Sequence, residues 1–108
     1  MGLTKSEIFS DSQNRIAIFA KAIAHPARVA ILQHILEKDS CICGELVEEI
    51  GLSQATISQH LKELKNIGLI KGNIEGPKVC YCIDPQVFRE ATQIINELLT
   101  NCCNSKAC

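Results

Sequence analysis

The sequence predicts a mainly α domain with a β-hairpin wing, a winged helix-turn-helix of order ααααββα, and three observations predict it. Residues 52–70, LSQATISQHLKELKNIGLI, read as a capped amphipathic helix. Ser53 suits the N-cap, Gly68 suits a left-handed stop, and Ile57, Leu61, Leu64 and Ile67 recur at helical spacing. Residues 44–50, GELVEEI, supply a shorter partner helix with Leu46, Val47 and Ile50 on one side, ended by Gly51. The β-leaning runs 69–75 and 78–84 flank Gly76-Pro77, a turn signal that makes them a two-stranded hairpin.

The other elements follow in chain order. Over about 6–24, Ile8, Ile16, Phe19, Ala20 and Ile23 recur helically, with Ser10, Asp11 and Ser12 softening the start. Pro26 fits the first turn of a second helix running to about Leu36, with Val29, Ile31, Leu32, Ile35 and Leu36 expected inside. Arg28 stands at its start, where it either reaches a backbone phosphate or stays solvated. Asp84-Pro85 is an N-cap with proline at the first helical position, and it opens a terminal helix. Its apolar residues Val87, Phe88, Ala91, Ile94, Ile95, Leu98 and Leu99 form a stripe two columns wide. One column covers the core and hairpin, and the other is left for a second copy, so a symmetric homodimer through the terminal helices is expected.

At 108 residues the chain is read as one domain, with a cysteine-containing tail at 101–108. The net charge of −1 argues against binding nucleic acid through bulk positive charge, so any DNA contact must be local. The far face of the 52–70 helix supplies such a surface in Ala55, Ser58, Gln59, Lys62 and Asn66, whose small, amide and cationic side chains suit base edges and phosphates. Ser53, Gln54, Thr56, Ser58, Gln59 and Lys62 are the candidate DNA contacts, with Lys78 on the wing reaching a phosphate. His60 lies nearer the core side, where packing or capping competes evenly with a groove contact. One short recognition element reads few bases, so double-stranded DNA would be bound by a dimer on two half-sites. Nothing here resembles a catalytic constellation, and no enzyme activity or required cofactor is expected. No secretory leader or membrane-length apolar run is present, so a cytoplasmic protein with no membrane partner is expected.

Seven cysteines in 108 residues form three groups: Cys41 with Cys43, Cys80 with Cys82, and Cys102, Cys103 with Cys108. In a reducing compartment thiols serve as ligands or redox sensors more often than as staples. Cys41 and Cys43 fall at the N-terminal edge of the first motif helix, where free amides favour thiolate, but two thiols are incomplete as a metal site. Cys80 and Cys82 share one face of a strand and read chiefly as packing residues. Cys102, Cys103 and Cys108 offer three sulfurs within seven residues, which suits a soft, thiophilic centre and makes them the first choice of ligand set. Cys41 and Cys43 are the second.

The stretches AIAHPARVAILQHIL and CICGELVEEIGLSQATISQHLKELKNIGLIKG, with the wing after them, resemble the ArsR/SmtB family of metal- and metalloid-sensing winged helix-turn-helix repressors over about 22–84. Cys41-Ile-Cys43 resembles the CVC of the arsenic-sensing branch, with Leu46 at the position of that branch's usual third ligand. LLTNCCNSKAC resembles the Cys-Cys pair and later cysteine of other arsenic sensors, while the His-rich zinc site of the family's last helix is absent. The resemblance implies a repressor released from its operator when As(III), Sb(III) or another thiophilic ion binds cysteine. Two alternatives stand beside it: a thiol redox or persulfide switch on the same scaffold, and a metal-buffering protein with a vestigial helix-turn-helix.

Overall fold

The computed structural model describes residues 5–38, 41–43, 46–73 and 80–101, in the order α1 (Lys5–Ile8), α2 (Asp11–Ala22), α3 (Pro26–Lys38), β1 (Ile42–Cys43), α4 (Leu46–Ile50), α5 (Gln54–Ile67), β2 (Ile70–Asn73), β3 (Cys80–Ile83) and α6 (Pro85–Thr100). The winged helix-turn-helix is present, with α4 and α5 as the motif and β2–β3 as the wing strands. The turn at Gly76-Pro77 lies outside the described residues.

The element order differs from the expectation at two places. The first helix is split, because Ser10 caps α2. Its hydroxyl accepts from the Gln13 amide (3.1 Å) while the Gln13 side chain accepts from the Ser10 amide (2.9 Å). The wing is also wider than a hairpin. β1 pairs antiparallel with β3, giving a three-stranded sheet of order β1-β3-β2 with β3 in the middle.

Burial fixes how the layers face. Ile31, Leu32 and Ile35 of α3, Leu46 of α4, Ile57, Leu61 and Leu64 of α5, and Ile42, Ile70 and Tyr81 of the sheet close around Phe19 and Ala22 of α2. Val29 and Leu36, expected inside, are exposed, since α3 is covered on one side only. The α3 start is held by the His25 ring, whose Nδ1 accepts from the Ala27 amide (3.0 Å). Asp84 caps α6 as expected, with Oδ1 accepting from the Gln86 (3.1 Å) and Val87 (3.3 Å) amides. The Arg15 guanidinium on α2 grips the Glu90 carboxylate on α6 through two bonds of 2.8 and 3.0 Å, which holds that carboxyl below its ordinary pKa. Beside that clasp, an apolar cavity of about 320 Å³ opens between α2 and α6, lined by Phe19, Ile23, Phe88, Ile95 and Leu99 among others. Among the described residues no single helix is long and apolar enough to cross a membrane.

Candidate nucleic-acid interface and thiol site

α5 is fixed at both ends by its own sequence. Ser53 has the extended backbone of an N-cap, its hydroxyl accepting from the Thr56 amide at 3.3 Å. At the other end Gly68 sits at φ 99°, where an L side chain would be strained. The Gly68 amide donates to the Lys65 carbonyl (3.0 Å) and the Leu69 amide to the Leu64 carbonyl (3.1 Å), which satisfies the last turn and leads directly into β2. Ile57, Leu61 and Leu64 are buried and Ile67 half-buried, so the apolar stripe anchors the helix.

That anchoring leaves the polar face outward. Ser53, Gln54, Ala55, Thr56, Gln59, Lys62 and Asn66 are exposed and Ser58 is half-buried. Some of these groups already have local roles. The Ser53 and Thr56 hydroxyls lie 2.9 Å apart, and the Gln54 amide donates to the Ser58 hydroxyl at 3.2 Å. Gln59, the next residue along, is exposed at the middle of the helix. Lys78 lies outside the described residues.

His60 belongs to the core side. It is 8% exposed, its Nδ1 accepts from Arg28 Nε at 3.1 Å, and its ring lies 4.6 Å from that of His25. Arg28 also donates to the Ala22 carbonyl at 3.4 Å, so its guanidinium braces α3 to α5 and to the end of α2. This resolves the two readings of Arg28 into a third. Burial, then the nearby charges of His25 and Arg28, lower the His60 pKa, and the neutral ring is the form that can accept from Arg28.

The cysteines are arranged differently from the expectation. Cys41 and Cys43 do not cap α4, because residues 42–43 are a strand in register with β3, Ile42 opposite Tyr81 and Cys43 opposite Cys80. Cys41 then falls opposite Cys82, and the two are joined in a disulfide with Cα atoms 4.4 Å apart. That spacing is the close approach of an antiparallel pair and lies within the range a disulfide spans. Ile42 (2% exposed) and Tyr81 (1%) point into the core, so Cys41, Cys80 and Cys82 take the opposite face. Cys41 is exposed, and Cys80 and Cys82 are half-buried. Cys80 is disulfide-bonded as well, so neither wing cysteine is merely a packing residue. A disulfide-bonded Cys41 is not the amide-stabilised thiolate foreseen for it. Among the described residues no group of three or more His, Cys, Asp or Glu side chains is poised to hold a metal ion. Cys102, Cys103 and Cys108, and the Cys43 side chain, lie outside the described residues.

With this geometry in place, comparison with known proteins is informative. The family profile for bacterial regulatory proteins of the arsR family matches residues 25–71, from the capping His25 through the recognition helix to β2. An uncharacterised HTH-type transcriptional regulator of Methanocaldococcus jannaschii, MJ1325, is 33% identical over 89 residues, which are 82% of this chain and 99% of that protein. HlyU from Vibrio cholerae superposes with a TM-score of 0.65 at 29% identity, over 89% of this chain and 100% of that one. The transcriptional repressor BigR from Xylella fastidiosa superposes with a TM-score of 0.62 at 26% identity, over 95% and 100%.

Proposed function

Because the chain belongs to the ArsR/SmtB family of winged helix-turn-helix transcription regulators, we propose that it is a dimeric operator-binding repressor whose hold on DNA is released by oxidation of Cys41 and Cys82. Its family and fold are those of DNA-binding regulators and not of enzymes. The Cys41–Cys82 disulfide carries the proposal, because it ties the strand leading into the helix-turn-helix to the middle strand of the wing. Exposed Cys41 meets a hydroperoxide first: its thiolate takes one oxygen to give a sulfenic acid, and an alcohol or water leaves. The Cys82 thiol then attacks that sulfur, forming the S–S bond and expelling water. Two thiols and one hydroperoxide thus become one disulfide, one alcohol or water, and one water. The bond favours a wing and recognition-helix arrangement that no longer matches successive major grooves.

DNA recognition is assigned to Gln54, Ser58, Gln59 and Lys62, with Ser53 and Thr56 holding the helix start and Lys78 reaching a phosphate. Gln59→Ala is expected to relax base preference at a cost of about 1–3 kcal/mol, while Lys62→Ala weakens binding to every sequence and lowers the salt slope by about 1. Fluorescence anisotropy across salt concentrations and operator variants separates the two. Parent-like binding by both variants would remove α5 from the interface.

The redox reading is tested by gel shift on the chain's own upstream DNA. Peroxide should release the reduced protein from operator and dithiothreitol should restore it, whereas Cys41→Ser and Cys82→Ser should bind throughout. A parent that keeps its operator in peroxide sinks the reading. The metalloid reading is one further arm of the same experiment: if As(III) or Sb(III) acts through the tail, Cys102→Ser or Cys108→Ser is deaf to arsenite while Cys41→Ser responds. The reverse pattern moves the metalloid to Cys41.

A further inference from the structure

We infer that His25, Arg28 and His60 form an acid-releasable joint which positions the recognition helix, so that the chain sheds operator DNA when His60 takes up a proton. The inference rests on the operator-binding half of the proposed function and not on its redox half, since no residue of the joint belongs to β1, β3 or the disulfide.

The direction of the hydrogen bonds carries it. A backbone amide and a guanidinium Nε can only donate, so the Nδ1 atoms that meet them must present lone pairs. The Ala27 amide donates to His25 Nδ1 at 3.0 Å, and Arg28 Nε donates to His60 Nδ1 at 3.1 Å. A protonated imidazole has hydrogen on both nitrogens and nothing left to accept with. Protonation of His60 therefore turns its bond to Arg28 into an encounter of two cations, with the His25 ring 4.6 Å away. Arg28 also reaches the Ala22 carbonyl at 3.4 Å, so the same guanidinium ties α5 to α3 and to the end of α2. Gln59 precedes His60 and Lys62 follows two positions on, so a shift of α5 at His60 moves both of these proposed DNA contacts.

Burial first, then the charges of His25 and Arg28, holds the His60 pKa below the 6.5 of a free imidazole. The stability that the neutral ring gives is whole above that value and is lost as pH falls through the lowered one. On the elements packed against α5, Arg15 of α2 is paired with Glu90, and Lys21 of α2, Glu48 and Glu49 of α4 and Lys71 of β2 are exposed. Half-buried His34 on α3 and half-buried Glu63, three positions along α5 on the ring's side, are the neighbours whose titration is to be told apart from that of His60. Bulk electrostatics runs the other way, because added protons make the chain more cationic and favour DNA. Loss of binding in acid is therefore the diagnostic sign.

The test uses the full chain, reduced with a phosphine, and its own upstream DNA as a fluorescent duplex, in a neutral arm at about pH 7.5 and an acid arm at about pH 5.5. Parent affinity should fall at least about tenfold in the acid arm, the equivalent of one unit of pKa difference between the DNA-bound and released states. In His60→Asn the carboxamide oxygen replaces the Nδ1 acceptor and does not titrate, so the ratio of the two affinities should collapse toward one. His34→Gln and Glu63→Gln should keep the parent's ratio. Imidazole nitrogen shifts of the parent, which need no substitution, should show His60 taking its proton below pH 6.5 in step with operator loss. Binding that is flat or tighter in acid overturns the joint, and so does a His60→Asn ratio equal to the parent's or an acid step abolished by His34→Gln or Glu63→Gln. A His60 ring protonated in the neutral arm, or still neutral in the acid arm, overturns it as well. A parent that binds no operator in the neutral arm sinks the operator-binding reading and this inference with it, whereas neutral binding without acid loss sinks this inference alone.

Discussion

Leu98→Glu is expected to yield a monomer that has lost its operator. Leu98 and Leu99 are 55% and 64% exposed at the end of α6, and Ile8 of α1, Phe9 in the bend after it, Ile18 of α2 and Ile23 in the turn that follows are exposed large apolar residues. Leu99 and Ile23 also line the cavity between α2 and α6. Exposed apolar side chains beside an apolar cavity mark an interaction site, and a second copy is the occupant we propose. A glutamate buried unpaired in such a seam would be an uncompensated charge, which costs about 3–5 kcal/mol. Twofold symmetry repeats the cost, so dimerisation should weaken by more than about a hundredfold and operator affinity should fall with it. Sedimentation equilibrium and anisotropy measure both. Parent protein that sediments as a monomer at micromolar concentration would remove the basis for the dimer.

Gly72→Ala should unfold the wing from inside. Gly72 has φ 127° and stands opposite Tyr81 in the β2·β3 ladder. A Cβ there would overlap the Cys80 carbonyl oxygen and come within 2.8 Å of the Tyr81 Cα, backbone atoms that cannot step aside. The strained φ alone costs about 1–3 kcal/mol, and the overlap adds to it. Tyr81 is one of the largest fully buried side chains, so the damage reaches the core. We expect a loss of at least about 3 kcal/mol, roughly 10–20 °C in Tm, read by thermal unfolding. An unchanged Tm would show that β2 can part from β3 at no cost.

Much of this fold was legible because its signals are local. Ser53, Gly68, Pro26 and Asp84-Pro85 each mark a helix end through a bond or a dihedral set within a few residues, and each stands where it was expected. The apolar spacing of Ile57, Leu61 and Leu64 likewise reports a face that is buried. The Ser10-x-x-Gln13 pattern of the α2 capping box was equally local and would have revealed the break after α1. β1 could not be read in this way, since two residues show no period and its partner lies about 40 positions downstream. The role of Cys41 depends on that pairing. His60 and Arg28 were ambiguous for the same reason, as each finds its partner on a different helix.

The Cys41–Cys82 bond also changes the covalent topology of the molecule. The cysteines are 41 positions apart in sequence, and the ring they close contains β1, α4, α5, β2 and most of β3. α1, α2 and α3 hang outside it as one open tail and α6 as the other. An oxidised chain is therefore a loop bearing the helix-turn-helix, with the helices that line the α2/α6 cavity at its free ends. Loop entropy alone removes about 4 kcal/mol of freedom from the unfolded ring, and it leaves the tails untouched. One cut by a protease anywhere inside the ring leaves a single covalent molecule, while a cut in either tail releases a fragment.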